Sequence, residues 1–141
     1  MSNFKIILFT AIVFISCCAF AHQTPEGLWA ARSPFLGDKP IGKVKISLVN
    51  GKLIGELLEV YPLNANVDRF CWRRQSPTSG PVILCDYQES DGKWINGKIY
   101  ESTTGTVYRS EITLSPNGNH LYVKGDMGMA SAVAVWDRLN R

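Results

Sequence analysis

The stretch Lys43-Val44-Lys45-Ile46-Ser47-Leu48-Val49-Asn50-Gly51-Lys52-Leu53-Ile54-Gly55-Glu56-Leu57 reads as a β-hairpin. Apolar and polar residues alternate on both sides of Asn50-Gly51. That dipeptide suits a type I′ turn, in which both central residues need positive φ. With those two as the turn, Leu48 faces Leu53, Ile46 faces Gly55 and Val44 faces Leu57. The other face pairs Lys45 with Glu56. One register thus gives an apolar interior and a charge-matched exterior.

The same punctuation continues along the chain. Asp91-Gly92 and Thr104-Gly105 are further turn signals, and Pro116-Asn117-Gly118-Asn119 is a longer one. They divide Gly27 to Arg138 into about eight short strands, near 27–32, 42–49, 52–60, 80–87, 93–101, 106–114, 120–126 and 131–138. A turn at Thr104-Gly105 sets Gly97 against Ile112, Ile99 against Ser110 and Glu101 against Tyr108, with Lys98 facing Glu111 outside. The last two strands turn Leu121, Val123 and Gly125, then Ala132, Ala134, Trp136 and Arg138, inward. Gly55, Gly97 and Gly125 fall on inward faces, where glycine permits the coiling of a small closed sheet. The expected fold is all-β, a single closed antiparallel up-and-down barrel of about eight strands.

Residues 1–21 precede this pattern and have another character. Lys5 supplies a positive start, Ile6 to Phe14 an apolar run, and Ala19-Phe20-Ala21 a small-x-small cleavage site. This is the layout of a signal peptide, too short for a membrane-spanning helix. The mature chain then starts at His22, and 22–141 is one β-barrel domain. A competing reading makes Cys17 or Cys18 a lipidated terminus, although Phe14 and Ile15 fit that pattern poorly. Export implies a periplasmic or secreted protein. Without Lys5 the chain has 14 Lys+Arg against 12 Asp+Glu, too weak an imbalance for a nucleic-acid footprint.

Two cysteines remain after cleavage, Cys71 and Cys85. An oxidising compartment favours a disulfide between them, and closing such a loop stabilises by about 3 kcal/mol. A metal site is the alternative. Only His22 and His120 could assist, and neither is at ligand spacing, so no metal or other cofactor is expected.

The run Trp94, Gly97, Ile99, Glu101, Gly105 and Tyr108, followed by Leu121, Lys124-Gly125, Trp136 and Arg138, resembles the carboxy-terminal signature of a bacterial secreted family. That family is known as domain of unknown function 2147. Gly27-Leu28-Trp29 and Gly51-Lys52-Leu53-Ile54-Gly55 resemble its amino-terminal elements, and the resemblance covers nearly all of the mature chain. It implies a lipocalin-like barrel and supplies no chemistry. Many relatives carry two cysteines two residues apart in the central loop. Here Trp72, Arg73 and Arg74 follow Cys71, and the second cysteine is Cys85, so a redox or metal role built on the close pair does not carry over. The family's Asp-Pro before the sixth strand is Glu101-Ser102 here.

In a closed barrel the first and last strands are neighbours. Trp29 and Arg138 then resemble the lipocalin device in which an arginine lies over a tryptophan and plugs one end, placing the guanidinium within about 6 Å of the ring. This is a structural pair. Glu101 and Tyr108 face inward at a hairpin end, where a buried carboxylate needs a donor. With Trp94 and Trp136 they are the candidate ligand-binding residues. The competing outcome is that Tyr108, Trp94 and Trp136 fill the interior. A continuously packed interior, with no cavity larger than one or two waters, would end the binding reading and move the search to the outer surface of the long loop at 62–80, around Arg69 to Arg74. That segment carries Arg69, Phe70, Trp72, Arg73 and Arg74, a candidate surface for an anion or sugar.

No nucleophile, base and orienting acid occur in a catalytic pattern, and Ser76, Thr78 and Ser79 lack such partners. A non-enzymatic protein is expected. The leading reading is binding of a small hydrophobic or amphipathic molecule, with a monomer as the default. The alternatives are a protein-interaction or inhibitor barrel acting through the 62–80 loop, and an enzyme.

Overall fold

The computed structural model describes residues 23–37, 39–61, 81–101 and 105–139. Residues 1–22, with the leader, Cys17 and Cys18, lie outside them. So does the 62–80 segment, with Cys71, Arg69, Trp72, Arg73 and Arg74.

Eight strands form one closed antiparallel barrel in chain order: β1 Gly27–Arg32, β2 Pro40–Val49, β3 Lys52–Val60, β4 Val82–Ser90, β5 Lys93–Glu101, β6 Thr106–Leu114, β7 His120–Asp126 and β8 Ser131–Arg138. The β2–β3 hairpin has the register read from the sequence. Leu48 pairs Leu53, Ile46 pairs Gly55, Val44 pairs Leu57 and Lys45 pairs Glu56. Asn50 (φ 51°) and Gly51 (φ 77°) supply the two positive φ values of the type I′ turn. Asp91 and Gly92 do the same between β4 and β5.

Two expectations about these hairpins are corrected. Glu56 is 1% exposed rather than on a solvated exterior. The outer face of β3 and β4 carries a second apolar cluster of Ile54, Val82 and Cys85, with Val49 packed on it, and Glu56 lies in the same wall. The β5–β6 register differs by two residues. Gly97 pairs Ser110, Ile99 pairs Tyr108, Glu101 pairs Thr106, and Lys98 pairs Arg109 rather than Glu111. Thr104-Gly105 is not a two-residue turn. Gly105 (φ 68°) donates its N–H to the Glu101 carbonyl at 2.8 Å, closing a four-residue loop over 102–105. A shift of two preserves the inward and outward faces. A bulge at Asn96 (φ 58°) then shifts the register again, setting Trp94 against Ile112.

Alternation of the strands fixes the two ends. The connections at 33–39, 61–81, 102–105 and 127–130 share one end, here called the mouth. The turns at 50–51, 91–92 and 115–119 share the other with the segment entering β1. Between them the interior is packed by Trp29, Val44, Ile46, Leu53, Leu84, Tyr87, Ile112, Leu121 and Trp136, each at most 2% exposed. The β1–β8 seam that closes the barrel is thin. Only Trp29 with Arg138 and Ala30 with Asp137 pair across it, against eight pairs between β2 and β3.

Candidate functional site

The end opposite the mouth is sealed by side chains. The Arg138 guanidinium carbon lies 4.3 Å from the centroid of the Trp29 ring. Its three nitrogens donate to three carbonyls: Nε to Gly118 at 2.8 Å, Nη1 to Glu26 at 2.8 Å and Nη2 to Thr24 at 2.9 Å. The Trp29 indole donates to the Pro25 carbonyl at 2.8 Å. One guanidinium thus ties the entering segment and the β6–β7 turn across a buried indole. Gly27 (φ 134°) makes this approach possible, because a Cβ there would stand 2.6 Å from Arg138 Nη1.

The middle of the barrel is filled. A Cβ on Gly55 would meet Leu84, and one on Gly97 would run into the Tyr87 ring. These two glycines admit large neighbours rather than leave a void, and Tyr87 over Gly97 is an aromatic covering a strand glycine. Tyr87 Oη and Ser110 Oγ are both buried without a hydrogen bond of standard geometry. Burial pushes the Tyr87 phenol well above its usual range, and the Ser110 hydroxyl beside it partly offsets the push.

Gly125 is different. The nearest neighbour of a Cβ there is Tyr108 Cβ at 3.8 Å, an ordinary contact. It lines a small cavity of about 30 Å³ under the mouth. Ile99, Val123 and Ala134 form apolar walls, Glu101 and Tyr108 stand at one side, and Arg32, Pro34 and Phe35 come over from the β1–β2 connection. As it stands, this space holds about two waters.

The structure therefore brings Glu101 and Tyr108 together at the mouth and separates them from the two tryptophans. Trp136 is 1% exposed and donates its indole N–H to the Arg32 carbonyl at 2.9 Å, so it is a core residue. Trp94 pairs with Ile112 towards the sealed end. Arg32 and Phe35 were not anticipated, because nothing in Ser33-Pro34-Phe35-Leu36 marks that connection as part of a site. Arg32 is itself anchored. Its Nη1 lies 2.6 Å from Asp137 Oδ2, and Asp137 Oδ1 lies 2.8 Å from His120 Nδ1. The Arg32 hydrogen bond, with a smaller contribution from His120, holds the Asp137 carboxyl below its ordinary range. Among the described residues no group of three or more His, Cys, Asp or Glu is arranged to hold a metal ion.

A barrel of eight up-and-down strands, sealed at one end by an arginine over a tryptophan and with a small pocket under the other, is a lipocalin-like barrel. A solved structure agrees. Protein HP1028 from the human pathogen Helicobacter pylori, described as belonging to the lipocalin family, is similar with a TM-score of 0.59 and 19% identity, over 83% of this chain and 84% of that one. Residues 27–138 match the model of an uncharacterised protein family conserved in bacteria, domain of unknown function 2147, and the chain belongs to that family. No curated protein sequence matches it.

Proposed function

We propose that the protein is exported and binds a small, partly apolar molecule at the mouth of the barrel, without catalysis. The observation that carries this reading is the pocket under the mouth, with apolar walls at Ile99, Val123 and Ala134 and polar groups at Glu101 and Tyr108. Its size restricts the ligand. At about 30 Å³, room for about two waters, the pocket as it stands is at the limit that ends a reading of binding in the interior, so binding requires the half-exposed Phe35 to swing aside and admit a group such as the end of an alkyl chain. This is a shallow site at the rim, where Glu101 and Tyr108 lie. Export rests on the leader-like residues 1–21, and intact mass of the secreted product tests it. A chain beginning at His22 is expected, and an acylated Cys17 or Cys18 terminus makes the protein a lipoprotein instead.

Native mass spectrometry of protein purified from its own envelope tests the binding. A retained small amphiphile is expected, with affinity reduced in Tyr108→Phe by about 0.5–1.5 kcal/mol, the worth of one hydrogen bond. Unliganded protein that also fails to bind medium-chain fatty acids, alcohols and amines in solution removes this reading.

A further inference from the structure

The charged and apolar residues around the mouth are not randomly placed. Ten large hydrophobic residues are exposed among the described residues, and six of them are at the mouth end: Phe35, Leu58, Val60, Val107, Met127 and Met129. Single exposed apolar residues need no explanation, but a cluster at one end marks an interaction surface. Met129 is fully exposed at the tip of the β7–β8 turn, beside Gly128 (φ 89°). It contributes nothing to the core there.

Behind this tip, the β5–β6 register sets Lys98 directly opposite Arg109 on the outer wall. Like charges at opposed positions of a ladder are unfavourable unless an anion relieves them. Neither cation forms an ion pair within the described residues. Two acids stand nearby. Asp126 is opposite Arg109, with its Oδ1 on the Gly128 N–H at 2.9 Å, and Glu111 is opposite Lys124, so the row keeps one net positive charge, that of Lys98. The wall over β5 to β7 is concave, an open space of about 710 Å³ lined by Lys98, Arg109 and Lys124, by the acids Glu111 and Asp126, and by Met129 among others.

We propose that this edge docks on an anionic lipid bilayer. Val107 and Met129 enter the acyl region, and Lys98 and Arg109, one row further back, meet headgroup phosphates in the outer concavity. This is the order of groups an interfacial site requires, apolar at the tip and cationic at headgroup depth. A second copy of the chain fits the edge less well, because an isologous contact brings two Lys98–Arg109 rows towards each other. The inference rests on the mouth-binding reading in one respect. Docking here turns the pocket opening towards the membrane, so an amphiphile enters it without crossing water.

Vesicle co-sedimentation of the secreted protein tests the proposal, with phosphatidylglycerol–phosphatidylethanolamine vesicles against phosphatidylcholine vesicles. Partition into the anionic vesicles is expected, weakening as salt rises. Met129→Ser with Val107→Ser should lower it by about tenfold in both low and high salt. Lys98→Gln with Arg109→Gln should lower it by about ten- to thirtyfold in low salt and remove most of the salt dependence. Unchanged melting temperatures separate these effects from misfolding. Absent partition, or partition that ignores both double variants, overturns the proposal. So does a concentration-dependent dimer that Met129→Ser dissolves in the absence of vesicle binding, and so does binding of free glycerol phosphate without vesicle binding. Binding of soluble amphiphile by the Met129→Ser, Val107→Ser protein reads the mouth pocket separately, so either idea can fail alone.

Discussion

Replacing Arg138 by Ala removes the seal of the closed end, and its cost can be worked from the contacts. The stacking on Trp29 at 4.3 Å is worth about 0.5–2 kcal/mol, and towards the upper value because the indole is fully buried. The three hydrogen bonds come from a charged donor, a class worth about 1.5–3 kcal/mol each when buried. The bond to Glu26 is exposed, and water replaces it at little cost. Those to Gly118 and Thr24 are part-buried and count for about half the buried value. Non-additivity lowers the sum, and a loss of about 2–4 kcal/mol is expected. For a domain of this size that lowers the Tm by about 8–16 °C. Arg138→Lys should recover less than half, because one ammonium cannot reach three carbonyls in different directions while covering the ring. Urea denaturation of wild type and both variants, followed by Trp fluorescence, measures this. A loss under about 0.5 kcal/mol for Arg138→Ala, or full rescue by Lys, refutes the argument that the guanidinium fork closes the barrel.

The two inward glycines of β5 and β7 should respond in opposite ways. Gly97→Ala forces the Tyr87 ring to move and should cost about 2 kcal/mol or more. Gly125→Ala should fold normally and weaken amphiphile binding by narrowing the mouth pocket; equal melting curves for the two variants contradict this. Asp137 titrates below its unfolded value, so its contribution is present above about pH 4 and lost as pH falls through the folded value. The effect should be small, because the carboxylate is 42% exposed, and Asp137→Asn should flatten the acid limb of a stability profile. Thiol labelling of denatured, unreduced protein should find neither Cys71 nor Cys85 free. Cys85→Ser should cost about 2–4 kcal/mol, and two reactive sulfhydryls in the wild type dismiss the bridge.

Strand positions were legible because turn chemistry and alternation agree in this chain. Asn50-Gly51 has only one comfortable geometry, and the β2–β3 register followed from it. Thr104-Gly105 carried less information. A glycine with positive φ closes a four-residue loop as well as a two-residue turn, and the sequence does not separate them. Asn96 is a bulge that no local pattern announces. The burial of Glu56 could not be read either, since alternation alone assigns it to the outward face and carries no information on the apolar neighbours Ile54 and Val82 there. At the site, Glu101 and Tyr108 were placed correctly near a mouth because both flank a hairpin end. Arg32 and Phe35 were missed because the β1–β2 connection has no pattern. Volume was the larger failure. Inward glycines are read equally well as room for a ligand or as room for a neighbouring side chain, and Tyr87 and Leu84 took the space at Gly97 and Gly55.

The thin β1–β8 seam has a consequence for the lifetime of the folded barrel. Each of the other seven pairings joins strands adjacent in sequence, whereas this one must bring the two ends of the domain together. Its loop-closure entropy is the largest in the molecule, so it forms after the hairpins have condensed. Interactions made that late are absent at the folding barrier. Weakening them speeds unfolding and leaves the folding rate nearly unchanged. With only two paired positions in the ladder, the clock is set by side chains: Trp29 under Arg138, Arg32 on Asp137, and the Trp136 indole on the Arg32 carbonyl. How long a molecule persists before it opens and meets a protease is thereby governed by five residues on the two terminal strands, largely independent of how well the central strands pack.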